Sequence, residues 1–109
     1  MNKEILENTA TSSELKIDML QLKKAALILR AVNHKLRQQM LKLIHLNNKM
    51  TVTEIYVKLR LEQSVASQHL AILRKAGFVT TVRDGKFIFY SVNYKRLDQV
   101  HSIVNDLLK

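Results

Sequence analysis

Two glycines and no proline in 109 residues leave this backbone few places to turn sharply. The positions of Gly77 and Gly85 therefore set much of the element order. Gly77 follows a periodic apolar segment, where a left-handed residue ends a helix. Gly85 sits in Arg83-Asp84-Gly85-Lys86, between the strand-like runs Val79 to Val82 and Phe87 to Val92. Asp-Gly between two such runs signals a type I′ hairpin turn, with both central residues at positive φ.

Helical periodicity fills the chain on either side of that hairpin. From Glu14 to Val32 the residues Leu15, Met19, Leu22, Ala26, Leu29 and Val32 recur at steps of three and four, and Leu20, Leu27 and Ile28 widen the stripe. A long helix, apolar over more than one face, is expected there. A second helix follows, with Asn33 as its N-cap and Leu36, Met40, Leu43 and Ile44 facing inward. Thr51-Val52-Thr53-Glu54 has the capping-box pattern and opens a short third helix with Ile55 and Leu59 inside. Arg60-Leu61-Glu62 forms a brief joint before a fourth helix from Gln63 to Ala76, in which Ala66, Leu70 and Leu73 make a narrow buried seam. A last helix, Tyr94 to Leu108, carries Leu97, Val100, Val104 and Leu107 on one stripe. Residues 1–13 end in a run of small polar residues and read as a flexible tail. Residues 14–109 form one domain, a size that buries roughly two-thirds of its unfolded surface.

Charge narrows the partner. Eighteen Lys and Arg against nine Asp and Glu leave a net charge of +9, and the stretch from Met19 to Thr53 holds Lys23, Lys24, Arg30, Lys35, Arg37, Lys42 and Lys49 without one carboxylate. An anionic partner is expected, although charge alone does not separate DNA from RNA or anionic lipid. The absence of cysteine excludes disulfides, thiolate metal ligands and thiol redox sensing. No apolar run is long enough to span a membrane, and the start of the chain lacks a signal-peptide layout, so a cytoplasmic protein is expected.

Four helices, a hairpin and a last helix, with two short helices tightly joined before the hairpin, are the layout of a winged helix-turn-helix: mainly α with a small β-hairpin. In such a unit the second short helix enters the DNA major groove. Gln63, Ser64, Ser67 and Gln68 suit that task, since Gln pairs bidentately with adenine and Ser donates or accepts; Val65 can meet a thymine methyl. Arg74 on the same helix is a candidate DNA contact, His69 a packing or phosphate-contacting residue, and Arg83 and Lys86 at the hairpin tip suit the sugar-phosphate backbone or an adjacent minor groove. A polar helical face alone is ordinary solvation; joined to a hairpin and a basic charge it points to double-stranded DNA.

At these residues the chain closely resembles the ArsR-SmtB family of bacterial repressors. The matching segments are Ala31 to Arg37, Gln63 to Val79 and Asp84 to Tyr90, and the likeness extends from about Leu20 to the C-terminus. The resemblance implies a homodimer built on the first and last helices, here through Leu15, Met19, Leu22, Leu97, Val100, Val104 and Leu107, which represses transcription on an inverted-repeat operator until an inducer arrives. The wide apolar faces of those two helices need covering in any case. The chain departs from the family at the joint, where Arg60 stands for a frequent Gly and Glu62 for a Ser or Thr cap. It departs again at the family's metal positions. Thr51 and Thr53 replace a Cys-x-Cys, and Asn93, Lys95, Asp106 and Lys109 replace an Asp/His set. No regulatory metal, thiol switch or other cofactor is expected, and no residue pattern specifies an effector.

Of the histidines, His34 and His45 read as surface residues of the second helix. Asp98 and His101, spaced i, i+3 on the last helix, offer only two of the four ligands that a zinc site takes. No paired carboxylates, nucleophile–base arrangement or phosphate-cradling loop appears, so no enzyme is expected. Two other readings stay open: a non-specific, nucleoid-type nucleic-acid binder, for which the charge suffices, and a winged-helix module that docks a protein partner.

Overall fold

The computed structural model describes residues 15–109, in the order α1 (Met19–Val32), α2 (Lys35–Asn47), β1 (Met50–Thr51), α3 (Val52–Leu59), α4 (Gln63–Lys75), β2 (Val79–Asp84), β3 (Phe87–Val92) and α5 (Tyr94–Leu107). The expected tail at residues 1–13, and the domain start at Glu14, lie outside the described residues. Among the described residues, α2, α3 and α4 pack against a small antiparallel sheet of order β1-β3-β2, and the core is filled by Met40, Ile44, Ile55, Leu70, Leu73 and Phe78.

The first helix begins at Met19 rather than Glu14, a correction to the periodic reading. Asp18 takes an extended conformation and its carboxylate accepts from the Gln21 amide at 3.1 Å. A capping carboxylate at that point satisfies an amide that an extra helical turn would otherwise have bonded. Leu15 and Ile17 precede the helix as exposed coil. The second helix is likewise displaced: its N-cap is His34, not Asn33. Asn33 is instead the C-cap of α1, its amide donating to the Leu29 carbonyl at 3.0 Å. The junction is stitched from the other side, where Gln38 Nε2 donates to the Val32 carbonyl at 2.8 Å and Arg37 donates to that of Ala31 at 3.2 Å. Both bonds satisfy carbonyls left over at a helix end.

At Thr51 local chemistry and topology meet. Its hydroxyl accepts from the Glu54 amide at 3.2 Å while the Glu54 carboxylate accepts from the Thr51 amide at 2.9 Å, closing the expected capping box. Met50 and Thr51 also pair with Tyr90 and Phe89 of β3, so the hairpin becomes a three-stranded sheet. That strand is too short to show any alternation in sequence.

Ala66, Leu70 and Leu73 of α4 are completely buried. Gly77, at φ +85, ends the helix in a Schellman motif: the Phe78 amide donates to the Leu73 carbonyl at 2.9 Å and the Gly77 amide to that of Arg74 at 3.0 Å. A Cβ on Gly77 would also stand 2.9 Å from Arg96 Nε. The same pair of bonds closes α3, from Leu61 to Tyr56 and from Arg60 to Val57. There the left-handed position is held by Arg60, at φ +57, which explains why glycine is usual at this joint.

The hairpin turn departs from the expected type. Asp84 pairs with Phe87, leaving Gly85 and Lys86 as the two-residue loop, and within it only Gly85 has positive φ, at +62. Glycine at the first central position is the arrangement of a type II′ turn, which demands no positive φ from Asp84 or Lys86. The fifth helix ends at Leu107, one residue short of the expected end. Its start is anchored by Asn93, whose amide donates to the Phe78 carbonyl and whose Nδ2 donates to that of Gly77, both at 2.8 Å.

Glu62 has the extended geometry of an N-cap, but its side chain caps nothing. Replacing Glu62→Ser supplies an acceptor for the free amides of α4 and is expected to raise stability by about 0.5–1 kcal/mol, measured by urea unfolding with an unchanged m-value.

Candidate nucleic-acid interface

Burial of Ala66, Leu70 and Leu73 fixes the rotation of α4 about its axis, and the opposite side is presented outward. Gln63, Ser64, Ser67 and Gln68 are exposed there, and Arg74 is exposed one turn beyond Leu70. Val65 and His69 are half-buried, so they flank this face rather than share it. At the wing tip Arg83 and Lys86 are both exposed. Arg83 Nε donates to the Gly85 carbonyl at 3.2 Å, laying the guanidinium along the turn, while the Lys86 ammonium sits 5.6 Å from the centre of the Phe87 ring.

His69 has an inward task. Arg37 Nε donates to its Nδ1 at 3.2 Å, and the same guanidinium holds the Ala31 carbonyl, so one side chain joins the end of α1, the start of α2 and the middle of α4. The bond makes Nδ1 an acceptor, leaving the ring proton on Nε2. His34, expected on the surface, is half-buried instead; its ring lies 5.0 Å from that of His69, and its Nδ1 is buried without a hydrogen-bond partner. The reason is that its extended backbone at the α1–α2 corner turns the side chain towards α4. Periodicity carries no signal for this cluster, because it is assembled from three separate helices.

Partial burial, then the charge of Arg37, then His34, hold the His69 pKa below its ordinary value of 6.5. In the window below 6.5 the unfolded chain therefore binds more protons than the folded one, and stability falls as pH falls through that window. His69→Gln keeps an acceptor for Arg37 and is expected to flatten this dependence. Thermal unfolding of the two proteins across the window checks it; parallel curves would remove the assignment.

None of the six residues at the family's metal positions offers a thiolate or an imidazole, and four of them have other partners. The Thr51 hydroxyl closes a helix cap, the Asn93 amide holds Gly77, and Asp106 pairs with Lys109 at 3.2 Å. His101 Nε2 lies 3.3 Å from Asn105 Nδ2, and exposed His45 lies 2.7 Å from the Tyr94 hydroxyl. Among the described residues no helix is long and apolar enough to cross a membrane.

The residues named for an interface between copies divide in two. Leu15 in the coil before α1, Met19 and Leu22 at its start, and Val104 and Leu107 at the end of α5, are exposed. Leu97 and Val100 are partly buried against this chain's own core. Exposed Leu20, Leu27, Ile103 and Leu108 extend the apolar surface. On the wing, Val82, Phe87 and Ile88 are also exposed; neither strand alternates apolar with polar residues, so no periodic signal in the sequence marks them.

Comparison with known proteins bears on family and fold. The model of a family described as "Bacterial regulatory protein, arsR family" matches residues 34–81. The chain is 35% identical over 89 residues to an HTH-type transcriptional regulator, MJ1325, of Methanocaldococcus jannaschii, covering 82% of this chain and 100% of that one. It is 39% identical over 70 residues to the transcriptional activator HlyU of Vibrio cholerae, a match that spans 64% of each. The crystal structure of the transcriptional repressor PagR of Bacillus anthracis superposes with a TM-score of 0.63 at 26% identity, covering 80% of this chain and 99% of that one.

Proposed function

This chain is a transcriptional regulator of the ArsR family of bacterial regulatory proteins, and we propose that it represses transcription in the cytoplasm as a homodimer bound to an inverted-repeat operator in double-stranded DNA. The observation that carries this reading is the exposed amide and hydroxyl face of α4, held outward by a completely buried seam beside a wing with basic residues at its tip. Gln63, Ser64, Ser67 and Gln68 read base edges from the major groove, with Val65 beside them at the groove floor. Arg74, Arg83 and Lys86 hold phosphates, and His69 acts chiefly through Arg37 to keep α4 in place.

The exposed apolar residues on α1 and towards the end of α5 support dimerisation, since a second copy covers them at little cost in polar desolvation. Two α4 helices related by that two-fold axis then enter successive major grooves about 34 Å apart. Repression requires only that the dimer occupy a promoter, whereas activation requires a further contact with the transcription machinery. PagR is a transcriptional repressor and HlyU a transcriptional activator, so a reporter under the operator decides the sign of regulation here.

If the dimer neutralises about eight phosphates, the plot of log affinity against log salt has a slope near −7 on the operator. Ser67→Ala or Gln68→Ala is expected to cost about 1–3 kcal/mol on the operator and to relax its specificity, while Lys86→Ala weakens operator and random DNA alike. Fluorescence anisotropy with both DNAs measures each. A flat salt response, or equal losses on both DNAs for every variant, would sink the assignment of base-reading to α4.

A further inference from the structure

A cavity of about 360 Å3 opens between α1 and α4, at the end of α4 away from Gln63. Its walls are Leu27, Ile28 and Ala31 from α1 and Ile72 from α4, and each helix adds one ammonium group, Lys24 and Lys75. Its volume lies near the lower end of the range for small-molecule sites. Leu27 and Ile72 remain partly open to solvent, at 51% and 39% exposure, so this apolar surface is not consumed by packing among the described residues.

The electrostatics around the cavity have one sign. Neither α1 nor α4 contains a single Asp or Glu, and among the described residues the ion pair present joins Asp106 of α5 to Lys109 just beyond it, outside the lining. Two cations beside an apolar slot match an apolar body with one anionic head. A neutral apolar molecule would gain nothing from the lysines, and a cation would be repelled by both.

We propose that the groove between α1 and α4 binds a small amphipathic carboxylate, its apolar body against Leu27, Ile28, Ala31 and Ile72 and its head held by Lys24 and Lys75. The inference rests on the functional reading above for its consequence. One wall belongs to the helix placed at the dimer interface and the other to the helix placed in the groove, so a ligand that changes their separation links the state of the dimer to DNA reading.

The test uses the full-length protein with isotope-labelled isoleucine methyls, titrated below micellar concentrations with decanoate and, at equal chain length, with 1-decanol and decylamine. Decanoate is expected to shift the Ile28 and Ile72 methyls, to leave Ile88 and Ile103 in place, and to bind at least tenfold more tightly than either control. Both lysines are exposed, and the double reversal K24E/K75E is expected to keep the fold and to invert the preference towards decylamine. Equal affinity for the three compounds, or shifts centred on Ile103, would overturn the site. So would Ile28 and Ile72 shifts that follow protein concentration with no ligand present, because a second copy would then occupy the groove. The titration contains no DNA, so failure to bind any operator would count against the functional reading alone and leave this result to its own outcome.

Discussion

The architecture depends on the complete burial of one narrow seam, Ala66, Leu70 and Leu73 on α4, closed at its end by Phe78. Removing these groups from water at roughly 25 cal/mol per Å2 is the principal force that orients α4. Orientation follows because a helix that buries one stripe has no freedom to rotate. The amides and hydroxyls on its far side are outside because the leucines are inside. Gly77 makes the arrangement possible: its left-handed backbone lets Phe78 turn back under the helix and delivers the chain directly into β2.

A polar staple supplements that seam. The Arg37 guanidinium bonds both the Ala31 carbonyl and the His69 ring, and so couples three helices through one planar, multidentate group. Lysine at this position has no second fixed donor to offer. The cost is two half-buried imidazoles beside a cation: burial first, then the charge of Arg37, lowers the His69 pKa, and the Nδ1 of His34 is left buried without a partner. This charge lies beneath α4, where it adds to the field around the surface assigned to DNA.

Local chemistry is legible in the order of residues. The capping box at Thr51 and Glu54, the α4 seam and the helix stop at Gly77 each depend on residues within a few positions of one another. Expectation and fold part company where two signals compete or where a partner is distant. Asp18 outranks the apolar stripe that runs through Leu15, because a side-chain acceptor at the right spacing ends the need for another turn. Gly85 alone takes the positive φ that a type I′ turn would share with Asp84, because the register of β2 against β3 places it first in the turn. β1 exists only through its pairing with β3, and two residues carry no periodicity. Of the candidate DNA contacts, the exposed polar set and the wing cations are readable from spacing, while the inward engagement of His69 is not.

Sequence alone determined that this chain is a basic, cysteine-free winged helix-turn-helix with an outward polar face on its fourth helix, since charge, composition and helical period are properties of the order of residues. Only the tertiary structure decided that Arg37 locks His69, that Leu97 and Val100 pack on the chain's own core, and that Lys24 and Lys75 flank a common groove. Each of those facts joins residues on different helices. Their meeting depends on how the helices cross, and crossing geometry is set by packing of the whole core rather than by any local segment.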